Sequence, residues 1–427
     1  MSRLDELIQE LCPNGVEFIA IGEVADYEQP SKYIVNSTDY NDNFKIPVLT
    51  AGQSFILGYT DETDGIYEAS KDNPVIIFDD FTGALKWVDF PFKVKSSAMK
   101  MLKAKPKKIT LRYLFHVMGN IGFTSSEHKR LWISVYSAFE IPLPPLEVQS
   151  EIVRILDNFT ELTAELTAEL TARKKQYEYY RDKLFSFNVL NCASVGNSLN
   201  NIVVMPLGEE DMSKLKELIQ KLCPNGVEYR KLGEVCDFIN GFAFKSSLFK
   251  DIGEPIIRIT NINGNAVDLS NVKYFNASDY KSDLHPFAIY YGDILIAMSG
   301  ATTGKIGYYC NKSTAYLNQR VGKFVPNKYI LKNRYLFHFL CSKINELYIM
   351  AGGGAQPNLS STKLMNDIVI PLPPLEVQKE IVRILDKFDM LATSISEGLP
   401  KEIELRRKQY EYYRNQLLSF PDNKATA

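Results

Sequence analysis

Two short stretches carry residue types that hold phosphate or activate water. Gly300-Ala-Thr-Thr-Gly304-Lys305-Ile306 resembles a phosphate-cradling loop. It has three residues between the glycines where that loop needs four, and Ile306 stands where a hydroxyl would hold magnesium. Asp79-Asp80 with Lys86 has the composition of a metal-holding nuclease cluster, but one adjacent acid pair does not specify one. An enzyme using Asp79, Asp80 and Lys86 is therefore a weaker reading. No G-x-G-x-x-G occurs, and no Asn/Asp-Pro-Pro-Tyr/Phe of the kind that grips a flipped base. Both Pro-Pro pairs, 144–145 and 373–374, are flanked by leucines. The four histidines form no triad spacing, and Cys12, Cys192, Cys223, Cys236, Cys310 and Cys341 form no C-x-x-C or zinc-ligand pattern. Catalysis and metal binding in this chain are not expected, and the cysteine usage suits a reducing cytoplasm.

Phosphate binding is a different matter. The net charge is only −2, yet residues 91–130 hold ten Lys or Arg against the single acid Glu127. Residues 301–340 hold seven and no acid. Such stretches suit a phosphate backbone, and polar side chains beside them suit base edges. In the first half the candidate DNA contacts are Lys32, Thr82, Lys86, Trp87, Lys95, Ser96, Ser97, Lys100, His128, Lys129 and Arg130. In the second they are Lys245, Ser299, Thr302, Thr303, Lys305, Asn318, Gln319, Arg320, Gly353, Gln356 and Asn358.

What positions these residues is a duplicated frame. Residues 1–27 align without gaps on 212–238, identical at 18 of 27 positions. Residues 141–159 match 370–388 at 17 of 19, and 173–187 match 406–420 at 11 of 15. A shorter echo, Arg-Tyr-Leu-Phe-His, stands at 112–116 and 334–338. Elsewhere the intervening segments share little, and the second is 18 residues longer. Two similar frames thus carry two different payloads.

From Leu146 to Phe187 there is no Gly or Pro, and the apolar residues recur at steps of three and four. The spacing predicts a rod of roughly 40 residues, about 60 Å long. Its counterpart from Leu375 is interrupted at Gly398-Leu399-Pro400, where proline should kink or end a segment. A rod with one apolar stripe needs a partner, and the expected partner is its repeat mate, packed antiparallel. The first rod contains the quartets Thr160-Glu-Leu-Thr-Ala-Glu-Leu-Thr-Ala-Glu-Leu-Thr-Ala172. Each adds a little over one turn, about 6 Å, as an adjustable spacer would. The payloads show short strand-like runs at 45–50, 74–78, 255–260 and 293–297. Length and globular composition suit two or three domains, and no run reaches membrane-spanning length.

The repeated block Ile-Pro-Leu-Pro-Pro-Leu-Glu-Val-Gln and the Lys-Gln-Tyr-Glu-Tyr-Tyr-Arg that follows resemble the specificity subunit of type I restriction-modification enzymes. The quartets resemble the spacer repeats of its IC group. The resemblance implies an α+β fold with two target-recognition domains in tandem duplication. It joins them by two long helices forming an antiparallel coiled coil with pseudo-twofold symmetry. The expected boundaries are 1–145 and 212–374 for the recognition domains and 146–188 and 375–420 for the spacer helices. A junction covers 189–211, where Ile202–Met205 has the look of a short strand, and a tail covers 421–427. The resemblance further implies double-stranded DNA as ligand, read as a split target. It implies two methyltransferase subunits docked on the helices, with motor-nuclease subunits joining for restriction. S-adenosylmethionine, ATP and magnesium would sit on those partners and none on this cytoplasmic chain. A recognition module serving a stand-alone nuclease-methylase is the alternative.

Overall fold

The computed structural model describes residues 3–50, 55–105, 107–123, 129–187, 209–352, 357–393 and 398–423 of the chain. Its contacts gather into two units, residues 1–166 with 403–427, and residues 167–402. Repeat arithmetic places the cuts at the starts of the helices. The contacts place them inside, so each unit owns the start of one long helix and the end of the other.

The two payloads share a topology that their sequences conceal. In the first unit, Ala25–Glu28, Met99–Ala104, Val75–Asp79 and Leu85–Val88 form an antiparallel sheet in that order. In the second, Cys236–Asn240, Val321–Pro326, Ile294–Ala297 and Ile306–Tyr308 repeat the same order and directions. A second sheet sets Ile46–Leu49 antiparallel to Ile56–Thr60 and parallel to Lys93–Val94. Its counterpart sets Glu254–Ile257 between Lys273–Phe275 and Ala315–Leu317 likewise, and adds Ala288–Ile289 at the edge. The longer second payload spends residues on that extra strand. Buried strand cores such as Val75–Phe78 and Ile294–Ala297 account for the continuous apolar runs in the sequence.

Each frame closes on a two-stranded ribbon, Glu17–Ala20 with Glu140–Leu143 and Tyr229–Lys231 with Val369–Pro371. The Pro-Pro pair then leads into a long helix, where a missing N–H leaves nothing unsatisfied. Leu146–Phe185 is one helix of 40 residues. The second stretch is two helices, Leu375–Thr393 and Leu399–Leu417. Pro400 sits in the first turn of the latter, so it starts a helix instead of kinking one. Within the first unit Phe159 stacks on Tyr413, and within the second Phe388 stacks on Tyr180, the same pair with the copies exchanged. Start meets end in each unit, as antiparallel partners do. The quartets are helical but lightly covered: Leu162 is exposed, and Leu166 and Leu170 are only half-buried.

The identical Gln of the repeated block explains part of the repetition. Gln149 is fully buried, accepts from Thr110 N–H at 2.9 Å and donates to Lys108 and Pro144 carbonyls, each at 2.9 Å. Gln378 does the same with Lys332 N–H and the Ile330 and Pro373 carbonyls, each at 2.8 Å. Removing such a side chain orphans three backbone groups in a dry site. Gln149→Leu should cost about 3 kcal/mol in urea denaturation, against about 0.5 kcal/mol or less for an exposed Glu147→Ala. Equal midpoints for the two would contradict the staple.

Candidate nucleic-acid interface

Half of the candidate residues fall on the same two loops of the shared topology in both units. The first is the turn between Val75–Asp79 and Leu85–Val88, matched by the turn between Ile294–Ala297 and Ile306–Tyr308. The second follows Lys93–Val94 in one unit and Ala315–Leu317 in the other. Thr82 lies on the first loop of unit one, Ser299, Thr302, Thr303 and Lys305 on that of unit two. Lys95, Ser96 and Ser97 correspond to Asn318, Gln319 and Arg320 as occupants of the second loop.

In the first unit Asp79 shapes the turn. Its carboxylate accepts from Phe81 N–H at 2.9 Å and from the Thr82 hydroxyl at 2.7 Å. Gly83 takes φ +74°, and a Cβ there would collide with Tyr136 Oη. Asp80 accepts from Trp132 N–H at 2.9 Å, with Lys100 Nζ at 3.3 Å and Arg130 at 3.7 Å. The acid pair therefore ties the turn to the 98–100 and 130–132 segments. Lys86 lies on the following strand, over the Phe55 ring, so Asp79, Asp80 and Lys86 do not assemble into a nuclease cluster.

Several expected contacts have other work. Lys100 is 1% exposed and paired to Asp80, which removes it from the surface. Trp87 is half-buried under the Arg112 guanidinium, 4.5 Å from its ring centroid. Ser299 and Thr303 are 3% exposed, and the Thr303 hydroxyl donates to the Gly300 carbonyl at 2.6 Å. These residues build the loops from beneath. Thr82, Lys86, Lys129, Arg130, Gln319, Arg320, Asn358, Lys32 and Lys245 are exposed. Lys95, Ser96, Ser97, Thr302, Lys305 and Asn318 are partly so. His128, Gly353, Gln356 and the junction through 208 lie outside the described residues.

The raw charge count overstates the positive surface for the same reason. Lys93 is buried against Glu62 at 2.8 Å, and its hydrogen bond holds that carboxyl down near pKa 2, against burial. Lys323 pairs with Asp293 at 3.2 Å, and Arg112 and Arg334 pair with acids of the long helices. Those acids stand far away in sequence, so local counting misses them.

In the second unit four distant loops converge. Gly300 N–H donates to Pro357 O at 3.1 Å, Met298 N–H to Arg320 O at 2.9 Å, and Asn318 N–H to Ile257 O at 3.1 Å. The Thr302 hydroxyl donates to Ile259 O at 3.0 Å. Gly300–Lys305 joins strand to strand and does not run into a helix of its own, as a phosphate-cradling loop does. Arg258, unmarked by any motif, stands beside this cluster. Its Nη2 donates to Asn271 O at 3.2 Å, while its Nε is buried without a partner.

The Arg-Tyr-Leu-Phe-His echo falls on one helix of each unit, Leu111–Met118 and Asn333–Ser342. Arg112 Nε and His116 Nε2 both meet Asp157 Oδ1 at 2.8 Å, and His116 Nδ1 meets Tyr410 Oη at 3.1 Å. In the second unit Arg334 Nε and His338 Nε2 meet Asp386 Oδ1 at 3.0 and 2.7 Å, and Tyr177 Oη meets His338 Nδ1 at 2.9 Å. Tyr113 and Tyr335 donate to the Pro142 and Pro371 carbonyls at 3.1 and 2.9 Å. Three of the five echoed residues thus have one job in both copies.

Burial holds the His338 pKa below its ordinary 6.5, although the Asp386 carboxylate opposes this. Burial pushes Asp386 up, but hydrogen bonds from His338 and Arg334 keep it below the usual carboxylate range. Neutral His338 donates from Nε2 to Asp386 and accepts the Tyr177 hydroxyl at Nδ1. Arg334, Asp389 and, beside Tyr177, Cys341 and Arg181 complete the charged and titratable surroundings. Because the unfolded chain takes up this proton first, stability falls as pH drops below about 6.5. Urea midpoints by circular dichroism from pH 7.5 to 5.5 should decline more steeply than in His338→Gln. Parallel slopes would contradict the assignment.

The fold is that of a known class. It matches the crystal structure of the S subunit of a type I restriction-modification system from M. genitalium at TM-score 0.54 and 17% identity, covering 95% of this chain and 97% of that one. Residues 13–173 and 224–405 each match the type I restriction modification DNA specificity domain. The chain is 42% identical to the Escherichia coli specificity subunit of the type I restriction enzyme EcoR124I/EcoR124II, over 99% of this chain and 98% of that one. It is 30% identical to a putative type I restriction enzyme specificity subunit of Haemophilus influenzae, over 95% and 96%. The chain belongs to the family of type I restriction-modification specificity subunits. Its function is DNA specificity, a non-catalytic part in a system that acts on DNA with other subunits. Among the described residues no helix is long and apolar enough to cross a membrane.

Proposed function

We propose that each unit reads one half of a split double-stranded DNA target through the two loops described above and the exposed polar and basic residues outside them. The observation that carries this reading is the repetition of one topology with different residues on matching loops. Two surfaces of the same build but different side chains are what a bipartite, asymmetric target requires. Phosphates are met by Lys32, Lys95, Lys129, Arg130, Lys245, Lys305 and Arg320, and base edges by Thr82, Asn318, Gln319 and Asn358. In this reading the long helices dock two methyltransferase subunits, which carry S-adenosylmethionine and methylate adenine. Motor-nuclease subunits add ATP- and magnesium-dependent restriction, and the complex works in the cytoplasm. The Thr-Ala-Glu-Leu quartets are a spacer of the IC kind and set the gap between half-sites.

The test is a methylation map. The chain is expressed with its methyltransferase subunits in a methylation-free host, and N6-methyladenine is located genome-wide. A split motif with a fixed gap is expected. A stable complex that leaves the genome unmethylated, or methylates a continuous motif, would overturn the reading.

A further inference from the structure

The Arg-Tyr-Leu-Phe-His echo lies inside the two payloads, where little else is repeated. Its Arg and His side chains hydrogen-bond to acids of the long helices. They reach out of the recognition domain to two separate helix segments. Asp157 and Asp386 belong to the long helix that follows each domain, while Tyr410 and Tyr177 belong to the end of the other one. His116 and His338 are 1% and 0% exposed. Each touches its own domain's helix acid and the other copy's tyrosine at once.

Apolar packing is non-directional, and a helix resting on a greasy stripe can pivot or slide at little cost. Directed hydrogen bonds in a dry setting do not allow that, because turning the domain leaves a buried group unpaired. A carboxylate shared by Arg and His fixes one point, and the tyrosine fixes a second. The guanidinium itself lies over Trp87 in one unit and Tyr308 in the other, at 4.5 and 4.7 Å from the ring centroids. These two aromatic residues occupy the same strand of the shared topology.

We propose that Arg112 with His116, and Arg334 with His338, are positioning residues that lock the angle of each recognition domain on its helix segments through Asp157 and Tyr410 or Asp386 and Tyr177. They thereby govern how sharply the gap between half-sites is defined, without touching DNA. This rests on the bipartite reading above. The clamp determines gap tolerance, while the loops determine base preference, so the two properties separate in mutants.

Tyr410→Phe and Tyr177→Phe each remove one hydroxyl and keep the ring, so the helices retain their packing. Wild type and variants are assembled with the methyltransferase subunits. Methylation is then measured on duplexes bearing the intact half-sites at the native gap and at one base pair more or less. The readout is the ratio of off-gap to on-gap rate, which is independent of how much complex folds. Loss of a hydrogen bond to a buried group should raise that ratio about tenfold in each variant. Val75→Ala opens a cavity in a core cluster of the first unit that holds no clamp residue, and should lower total methylation while leaving the ratio unchanged. Unchanged ratios in both tyrosine variants, or altered base preference at an unaltered gap, would overturn the proposal. A rise in the Val75→Ala ratio equal to theirs would reduce the clamp to general stability and overturn it too. Failure of the bipartite reading shows separately, as a wild-type complex indifferent to the gap.

Discussion

Replacing residues 28–140 by the corresponding segment of another family member changes one half of the methylated motif and leaves the other half and the gap intact. Replacing 239–369 changes the opposite half. The physical basis is the division between frame and payload. Each segment carries both recognition loops, while the ribbon's first strand, most of its second and Gln149 or Gln378 with its Pro144 or Pro373 partner remain with the recipient. Arg112 and His116, or Arg334 and His338, lie inside these segments, so the donor segment is chosen to carry an Arg and a His there that dock it on Asp157 or Asp386. A mismatched base pair costs about 1–3 kcal/mol, so losing three or more should reduce methylation of the original site by roughly a hundredfold or more. Methylation maps of the two chimaeras check this. A chimaera that still methylates the parental motif, or changes both halves, would show that recognition is not divided between the units.

Deleting one quartet, Thr163–Leu166, shortens the gap by about one to two base pairs and leaves both half-sites unchanged. Four residues of helix span about 6 Å, and a base pair rises 3.4 Å. Four residues also turn the helix by about 400°, so side chains beyond the deletion return to within about 40° of their former face. That residual is small enough for helix packing to absorb. The tract suits such a change because it is lightly covered, with Leu162 at 43% exposure, and because it lies between Asp157 and Tyr177. Deleting a quartet costs few contacts, whereas removing three or five residues would rotate the far end away from its partners. The methylation map of the deletion variant reads the gap directly. An unaltered gap in an active complex would contradict the spacer role.

Much of this architecture was legible in one dimension. The duplication, the two rods, the break near Pro400 and the strands around 74–78 and 293–297 follow from repetition and periodicity. These are local properties, because hydrogen-bond patterns and apolar stripes recur along the chain itself. The loops at 82–85, 95–98, 299–305 and 318–320 were also reachable, since glycine and polar residues punctuate strands.

What the sequence alone determined about this protein is its frame: a twice-repeated unit without catalytic spacing, bearing divergent and locally basic payloads. Tertiary structure decided which charges remain at the surface. Lys93, Lys100, Arg112, Lys323 and Arg334 find their acids at Glu62, Asp80, Asp157, Asp293 and Asp386, about 20 to 50 residues distant. It also decided that two dissimilar payloads share one topology, that each unit takes a helix end from the other copy, and that the Arg-Tyr-Leu-Phe-His echo is a clamp. Coulomb attraction and hydrogen bonding depend on distance in space, and a chain brings remote residues within 3 Å only by folding.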